Sequence, residues 1–596
     1  MRWPRRRLAA IVLILASLLA AAGCVSVPAS GPIEKVEGQQ PACQNCVNVE
    51  VKPPAQGAQP REIVEGYLRA TSNYQPNYLV ARQFLTRMAA EKWSPEAGVT
   101  IYTGSPKAEG NTVTLGGPEP EDGWLVGSLG RDRTYTVGDR KLQHDFGLVK
   151  ENEEWRINNP PAGLMVAEYS FRYFYQPYDV YFIGNGVSLV PDPIYLPALR
   201  NPANVASALM KALLNGPSRW LKPAVTTAIP PNTSLSVDSV TITDGIAEVP
   251  LSESVLRLPD QQRSLLAAQI VYTLRQVGGV KGVLIKVNQQ PYRVPGGDPN
   301  SLVISVDAVP QNMDPVPFVA GDQPYAVQSG AVKLVTATPD SLAVGKLSGA
   351  LGDGTLRADA LAVSATDFAV TTDDRKTLRR GLITSGEPST LPLPGVSELL
   401  RPQFSRYGEI WDVGSEGGRQ WIWMFTGDGQ KLKTNKIALP VVKGEKVKAF
   451  KISPDGTKIA FVRSTRTESK LWLARIIRSD KITFNGWRAL NTTQTNQTNM
   501  PLIRNIADVA WVDATELLVL GAPDRTVAFQ PYRVVEDASR ITGQGNGENW
   551  KPVELAVSPR RQTAIIVGDR GQTWKYDGSQ WSLFMKDPVS TIAYPG

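Results

Sequence analysis

The 596-residue chain holds one histidine and three cysteines. This scarcity rules out more chemistry than any motif supplies. A Ser-His-Asp triad or a histidine-based zinc site would have to be built around His144 alone, and no HExxH, GxSxG or Walker sequence is present. His144 sits in KLQHDFGLV, which reads as a strand, so a structural imidazole is the expected role. Excess charge is lacking too. Of the formal +8, four charges belong to the arginines of residues 1–23, a segment without acids that is expected to be cleaved, so the mature chain keeps four and gives no support to nucleic acid binding. Phosphate loops and paired carboxylates are also missing as working units. Gly543-Gln544-Gly545-Asn546-Gly547 has polar flanks in place of a strand and a helix. The pairs Asp373-Asp374 and Glu153-Glu154, if on strands, point to opposite faces, and as bare charge clusters they read as solvated turns. The expectation is a protein with no catalytic residues, cofactor or metal. What remains is an ordinary globular composition, 42% hydrophobic and 20% charged, long enough for about three or four domains.

The N-terminus is the most specific segment. Arg2, Arg5, Arg6 and Arg7 precede an apolar run, and small residues lead into Cys24, so residues 1–23 read as a signal peptide. The run is too short to make a comfortable membrane span. Small residues ending in Gly23-Cys24 resemble a bacterial lipobox, with Ala21 where leucine is commonest. The resemblance implies that Cys24 becomes an N-palmitoyl, S-diacylglycerol cysteine anchoring the chain to the outer face of the cell membrane. Two or more acyl chains, at roughly 0.8 kcal/mol per buried methylene, suffice for stable anchoring. Residues 24–59, rich in Pro, Gly and Gln, form a flexible tether. Within it Cys43 and Cys46 are spaced CxxC. On the exported side they favour a local disulfide over a redox pair, which would need a helix N-terminus, or over zinc.

Residues 60–195 read as an α+β module with an aromatic connector. Ile63, Tyr67 and Ala70 keep helical spacing, residues 78–90 continue it, and alternating segments at 99–102, 112–115, 142–150 and 155–157 follow. The order resembles the cone of the nuclear-transport-factor-like fold. The aromatics of residues 169–195 favour a buried junction over an exposed groove. Residues 196–320 form a second α+β module. Val205, Leu209 and Leu213 mark a helix that Gly216-Pro217 stops, Asp244-Gly245 turns a strand pair, Leu266, Ile270, Leu274 and Val277 line a second helix, and 282–287 is a strand. The strings LLNGP, DGIAEVPLS and QIVYTLRQVGGVKGVLIKVN resemble the GerMN domain of bacterial envelope and sporulation proteins. That resemblance implies protein contact without catalysis.

Residues 321–596 are strands and turns. The clearest unit runs through Ser453-Pro454-Asp455-Gly456, and related units fall at 361–370, 402–411, 509–519 and 555–567. A spacing of roughly 35 to 60 residues is that of a four-stranded propeller blade, which gives about six blades, with seven as the alternative. Nine of the fourteen tryptophans lie beyond residue 400, as blade packing would use them. The polar run Asn491 to Asn499 reads as a loop insertion. Residues 590–594 begin a blade that the C-terminus does not finish, and residues 330–335 are the expected partner that closes the ring.

Cys24, the tether, Trp155-Arg156-Ile157, Leu189-Val190-Pro191-Asp192, the GerMN-like module and the Ser-Pro-Asp-Gly propeller, in that order, resemble the LpqB family of actinobacterial lipoproteins across the whole chain. The resemblance implies an accessory lipoprotein of the MtrAB two-component system. It would contact the extracellular domain of the sensor kinase MtrB and influence envelope homeostasis and division. The alternative is a cell-wall glycan-binding protein or enzyme that uses the propeller face or the aromatic segment; fold alone does not separate the two.

Overall fold

The computed structural model describes residues 51–596 except 117–122, 187, 297–299, 320–322, 338–341, 428–430, 440, 442–443, 491–499 and 546–549. Cys24, Cys43, Cys46 and the 491–499 run therefore lie outside the described residues.

The first module is built on the helix Pro60–Ser72. Proline at its first position and a reciprocal Gln59–Glu62 capping box start it, with Gln59 N donating to Glu62 Oε2 at 2.8 Å. Ile63, Val64, Tyr67 and Leu68 are buried among the strands, and Thr71 Oγ1 donates to Met165 O at 2.8 Å. The main sheet runs Tyr135–Lys141, Trp124–Leu129, Val99–Thr103, Leu164–Ala167, with the last pair parallel. The helical segment expected at 78–90 is interrupted. Leu79–Gln83 ends before Thr86, which caps a separate helix Arg87–Lys92 by accepting from Ala89 N, and Met88 is left exposed. The strand expected at 142–150 likewise breaks, at the left-handed Gly147.

The aromatic segment is the short helix Glu168–Phe174 followed by a long hairpin, Tyr175–Gly184 with Ser188–Pro197. Phe171, Tyr175 and Tyr195 are buried against one another and Tyr135, as the junction reading expects, while Tyr169 and Tyr173 face solvent. Further along the hairpin, Val180, Phe182, Val190 and Ile194 enter the core of the second module. That core is completed by the helices Pro202–Leu214 and Asp260–Leu274 and by Thr241–Thr243, Ile246–Leu251 and Gly282–Val287, the last two parallel. Asp244 and Gly245 both take positive φ (52° and 82°), the geometry a two-residue hairpin turn requires.

Among the described residues the C-terminal region forms six four-stranded antiparallel sheets, the blades of a propeller. Blade 1 combines Tyr325–Gln328, Ala331–Ala337 and Leu342–Lys346 with the chain's last strand, Thr591–Ala593. The ring is thus closed by its two ends, but the strand that pairs directly with Thr591–Ala593 is Tyr325–Gln328; the expected 330–335 segment is one strand further out. Blades 2 to 6 begin with Ala358–Val363, Gln403–Phe404, Lys446–Ile452, Asn505–Trp511 and Pro552–Ser558. These strands and Thr591–Ala593 neighbour one another around the ring and form its inner wall.

The Ser-Pro-Asp-Gly turn shows why that sequence marks a blade. Asp455 Oδ1 accepts from Ser453 Oγ at 2.7 Å and Thr457 N at 2.8 Å, and Gly456 N donates to Ser453 O at 2.8 Å. Gly456 sits at φ 75°, where a Cβ would fall 2.6 Å from the Tyr407 ring.

Candidate functional site

The propeller axis carries charge. Arg401 precedes the inner strand of blade 3, Lys451 lies on that of blade 4, Asp508 on blade 5 and Glu554 on blade 6. Arg401 bridges Asp508 Oδ2 at 2.6 Å and Glu554 Oε1 at 2.8 Å, and Thr591 Oγ1 of the closing strand donates to Glu554 at 2.5 Å. Burial opposes the guanidinium's charge, yet the two carboxylates hold Arg401 above its ordinary range. Lys451 has no such bridge among the described residues. Burial, then the charge of Arg401, push its amine down to about 7 against the pull of Asp508 and Glu554. It lines a small recess of about 120 Å³ at the mouth of the axis, with Trp511, Phe404 and Tyr594 nearby and Val316 and Pro317 at the rim.

The segment that enters the propeller is stapled to this face. Arg406 donates to the carbonyls of Asn312 at 2.8 Å, Asp314 at 2.9 Å and Pro315 at 3.3 Å, and Arg560 lies 5.0 Å from the Phe318 ring centre.

The connector hairpin and the second module are fastened more deeply. Tyr195 Oη meets Ser539 Oγ at 2.5 Å, and Trp220 Nε1 donates to Gly486 O at 2.6 Å. Beside this contact Lys458, fully buried, bonds Glu536 at 2.6 Å, Asp455 at 3.2 Å and the Ala514 carbonyl at 2.7 Å. Burial pushes Glu536 up to about 8. Two acids of the hairpin face this network. Asp179 is raised to about 7, by burial and then by Asp513, and Asp192 to about 6, by burial, although Ser218 N bonds it at 2.6 Å. Next to them a cleft of about 890 Å³ is lined by all three modules: residues 130–132, 134–137 and Asp192 of the first with its connector, Trp220 of the second, and Arg475, Arg488 and Asp537 of the propeller.

His144 lies on the strand Gln143–Asp145, its Nε2 3.0 Å from Asn159 O and its ring edge-on to Phe146. Burial lowers its pKa. Asp373-Asp374 lies in a turn, as expected of such a charge pair. The strand ends at Thr372, and the pair forms the turn, where Asp374 accepts from Thr372 Oγ1 at 2.7 Å and Lys376 N at 3.0 Å. Sequence reasoning singled out neither the axial charges nor the cleft arginines. For Lys451 the available signal was its place inside the 449–462 repeat, a charge on what had to be an inner strand.

Three family descriptions match successive parts of the chain: "Lipoprotein LpqB, N-terminal domain" over residues 53–172, "Sporulation and spore germination" over 179–293, and "Lipoprotein LpqB beta-propeller domain" over 333–593. A lipoprotein LpqB of Cutibacterium acnes is 27% identical over 99% of both chains, and one of Streptomyces avermitilis 26% identical over 96% of both. Among solved structures, a chain of a nidogen/laminin complex covers 46% of this chain and 98% of its own, at 13% identity and a TM-score of 0.34, a likeness too loose to add to the fold assignment. No helix among the described residues is long and apolar enough to cross a membrane.

Proposed function

Because the chain belongs to the LpqB lipoprotein family, we propose that it is anchored through Cys24 on the extracytoplasmic face of the cell membrane, contacts the extracellular domain of the sensor kinase MtrB, and modulates its signalling. The observation that carries this reading is the junction. Tyr195, Trp220 and Arg406 fasten the two α+β modules to the propeller, so the body presents a fixed surface. A fixed surface loses less freedom on binding than hinged modules would. Confinement of both proteins to one membrane raises their effective concentration and lets a modest contact suffice. The relatives carry the name of a lipoprotein, not of an enzyme. The axial recess, at about 120 Å³, is well below the roughly 300 Å³ of ordinary small-molecule sites, which counts against the propeller mouth as a glycan site.

The test is co-reconstitution of the full-length chain with the kinase in proteoliposomes. The kinase autophosphorylation rate should change with the native chain and return toward the kinase-alone value when Cys24→Ala releases it from the bilayer. An unchanged rate with the anchored chain overturns the proposal.

A further inference from the structure

The three-module cleft contains an arrangement that the proposed kinase contact does not use. Arg475 and Arg488 come from neighbouring strands of blade 4, Ser469–Arg478 and Ile482–Ala489, and both lie close to the indole of Trp220. The Arg488 guanidinium lies 3.8 Å and that of Arg475 5.6 Å from the ring centre. Arg475 also donates to the Trp220 carbonyl. Neither arginine is held in a close ion pair among the described residues, although Asp537 and Asp192 also act on Arg488 from further away. Arg475 makes no ion pair among the described residues, and Arg488 reaches Glu536 only at 4.0 Å, a carboxylate already bound by Lys458 at 2.6 Å. The Nε atoms of both arginines are buried without a hydrogen-bond partner. Two guanidiniums held together out of water are costly unless an oxyanion joins them.

The backbone is shaped around this pair. Gly486 adopts φ 65°, and a Cβ there would lie 2.6 Å from Arg475 Nε. The lining also holds acid: Asp537 is 5% exposed and its Oδ2 has no hydrogen-bond partner. The lining as a whole has four arginines (131, 219, 475 and 488) against four acids (Asp132, Asp192, Glu536 and Asp537). A cleft with arginines and acids in equal number does not suit a polyanion. It suits a zwitterion, and at about 890 Å³ it has the volume of a small-molecule site.

We propose that this cleft binds a short peptide with free ends, its carboxylate between Arg475 and Arg488 and its ammonium toward Asp537. Since residues of all three modules line the cleft, such a ligand tightens the junction. The proposal goes beyond the kinase contact and fails independently of it, because binding is read on this protein alone.

The experiment is isothermal titration of the full-length chain in nanodiscs with dialanine, N-acetyl-dialanine, dialaninamide and inorganic phosphate. Dialanine should bind saturably, and each blocked form should bind more weakly. Arg488→Gln and Arg475→Gln should each weaken dialanine about tenfold or more, as expected for lost charge-assisted bonds. Asp537→Asn should weaken dialanine but leave N-acetyl-dialanine unchanged. Circular dichroism melts of each variant check that the fold is kept. Should Arg488→Gln fail to fold, the Asp537→Asn comparison decides. Absence of saturable dialanine binding up to about 10 mM overturns the proposal, as does phosphate binding as tightly as dialanine.

Discussion

The surroundings of Lys458 depend on a single charge. Its ammonium is fully buried between Asp455 and Glu536 and holds two carboxylates that water cannot reach. Removing it leaves buried, uncompensated acids, so Lys458→Met should cost about 3–5 kcal/mol in denaturant unfolding, and adding Glu536→Gln should recover part of the loss. Equal stability of Lys458→Met and wild type would show the network to be incidental. Across the same junction Asp179 gives the molecule a pH dependence. Its pKa rises from the ordinary 3.8 to about 7 because burial, then Asp513, Asp192 and Asp537, outweigh Lys458. The folded chain keeps this proton where the unfolded chain has lost it, so the native state binds more protons between about pH 4 and pH 7, and stability from this group falls as pH rises through that window. The melting temperature of wild type should therefore decline more from pH 5 to pH 7.5 than that of Asp179→Asn. A parallel decline would remove Asp179 from the account.

At the scale of elements, the closing strand carries the argument. Thr591–Ala593 fills the inner position of blade 1 beside Tyr325–Gln328, Ile592 is fully buried, and Gly596 N donates to Val363 O in blade 2 at 3.0 Å. Truncation before Val589 opens two sheet edges and exposes Ile592's neighbours, so soluble yield and melting temperature should fall sharply. A comparable deletion within the polar run 491–499 should be mild if the sequence there is read as a loop insertion, since loops tolerate length changes. A truncated chain that melts like the parent contradicts ring closure. Much of this architecture was legible because blades repeat: an alternating pair around a Ser-Pro-Asp-Gly turn looks the same wherever it occurs, and an unfinished last unit implies a partner near the first. The partner strand was placed one strand too far along because Gly330 marks the hairpin turn and not the start of the pairing. Thr86 shows a different limit. A helix cap inside an apolar stretch breaks the 78–90 segment, and helical spacing alone passes over it. The cleft arginines were hidden for a third reason. Arg475 and Arg488 acquire meaning only beside Trp220, more than two hundred residues away in sequence, and no local pattern encodes that meeting.

At the scale of the whole molecule, two α+β modules fastened to a propeller form a body whose separate parts cannot reorient without breaking buried contacts. Such a construction suits presentation of a surface to a membrane neighbour. The glycan-binding alternative asks for a ligand site in its place, and one comparison separates the two. The full-length chain, immobilised in nanodiscs, is offered the extracellular domain of the cognate sensor kinase and, in parallel, purified muropeptides, with binding followed by interferometry. The account predicts saturable binding of the kinase domain, competed by the soluble body of the same chain. Binding of muropeptides with none of the kinase domain would contradict it.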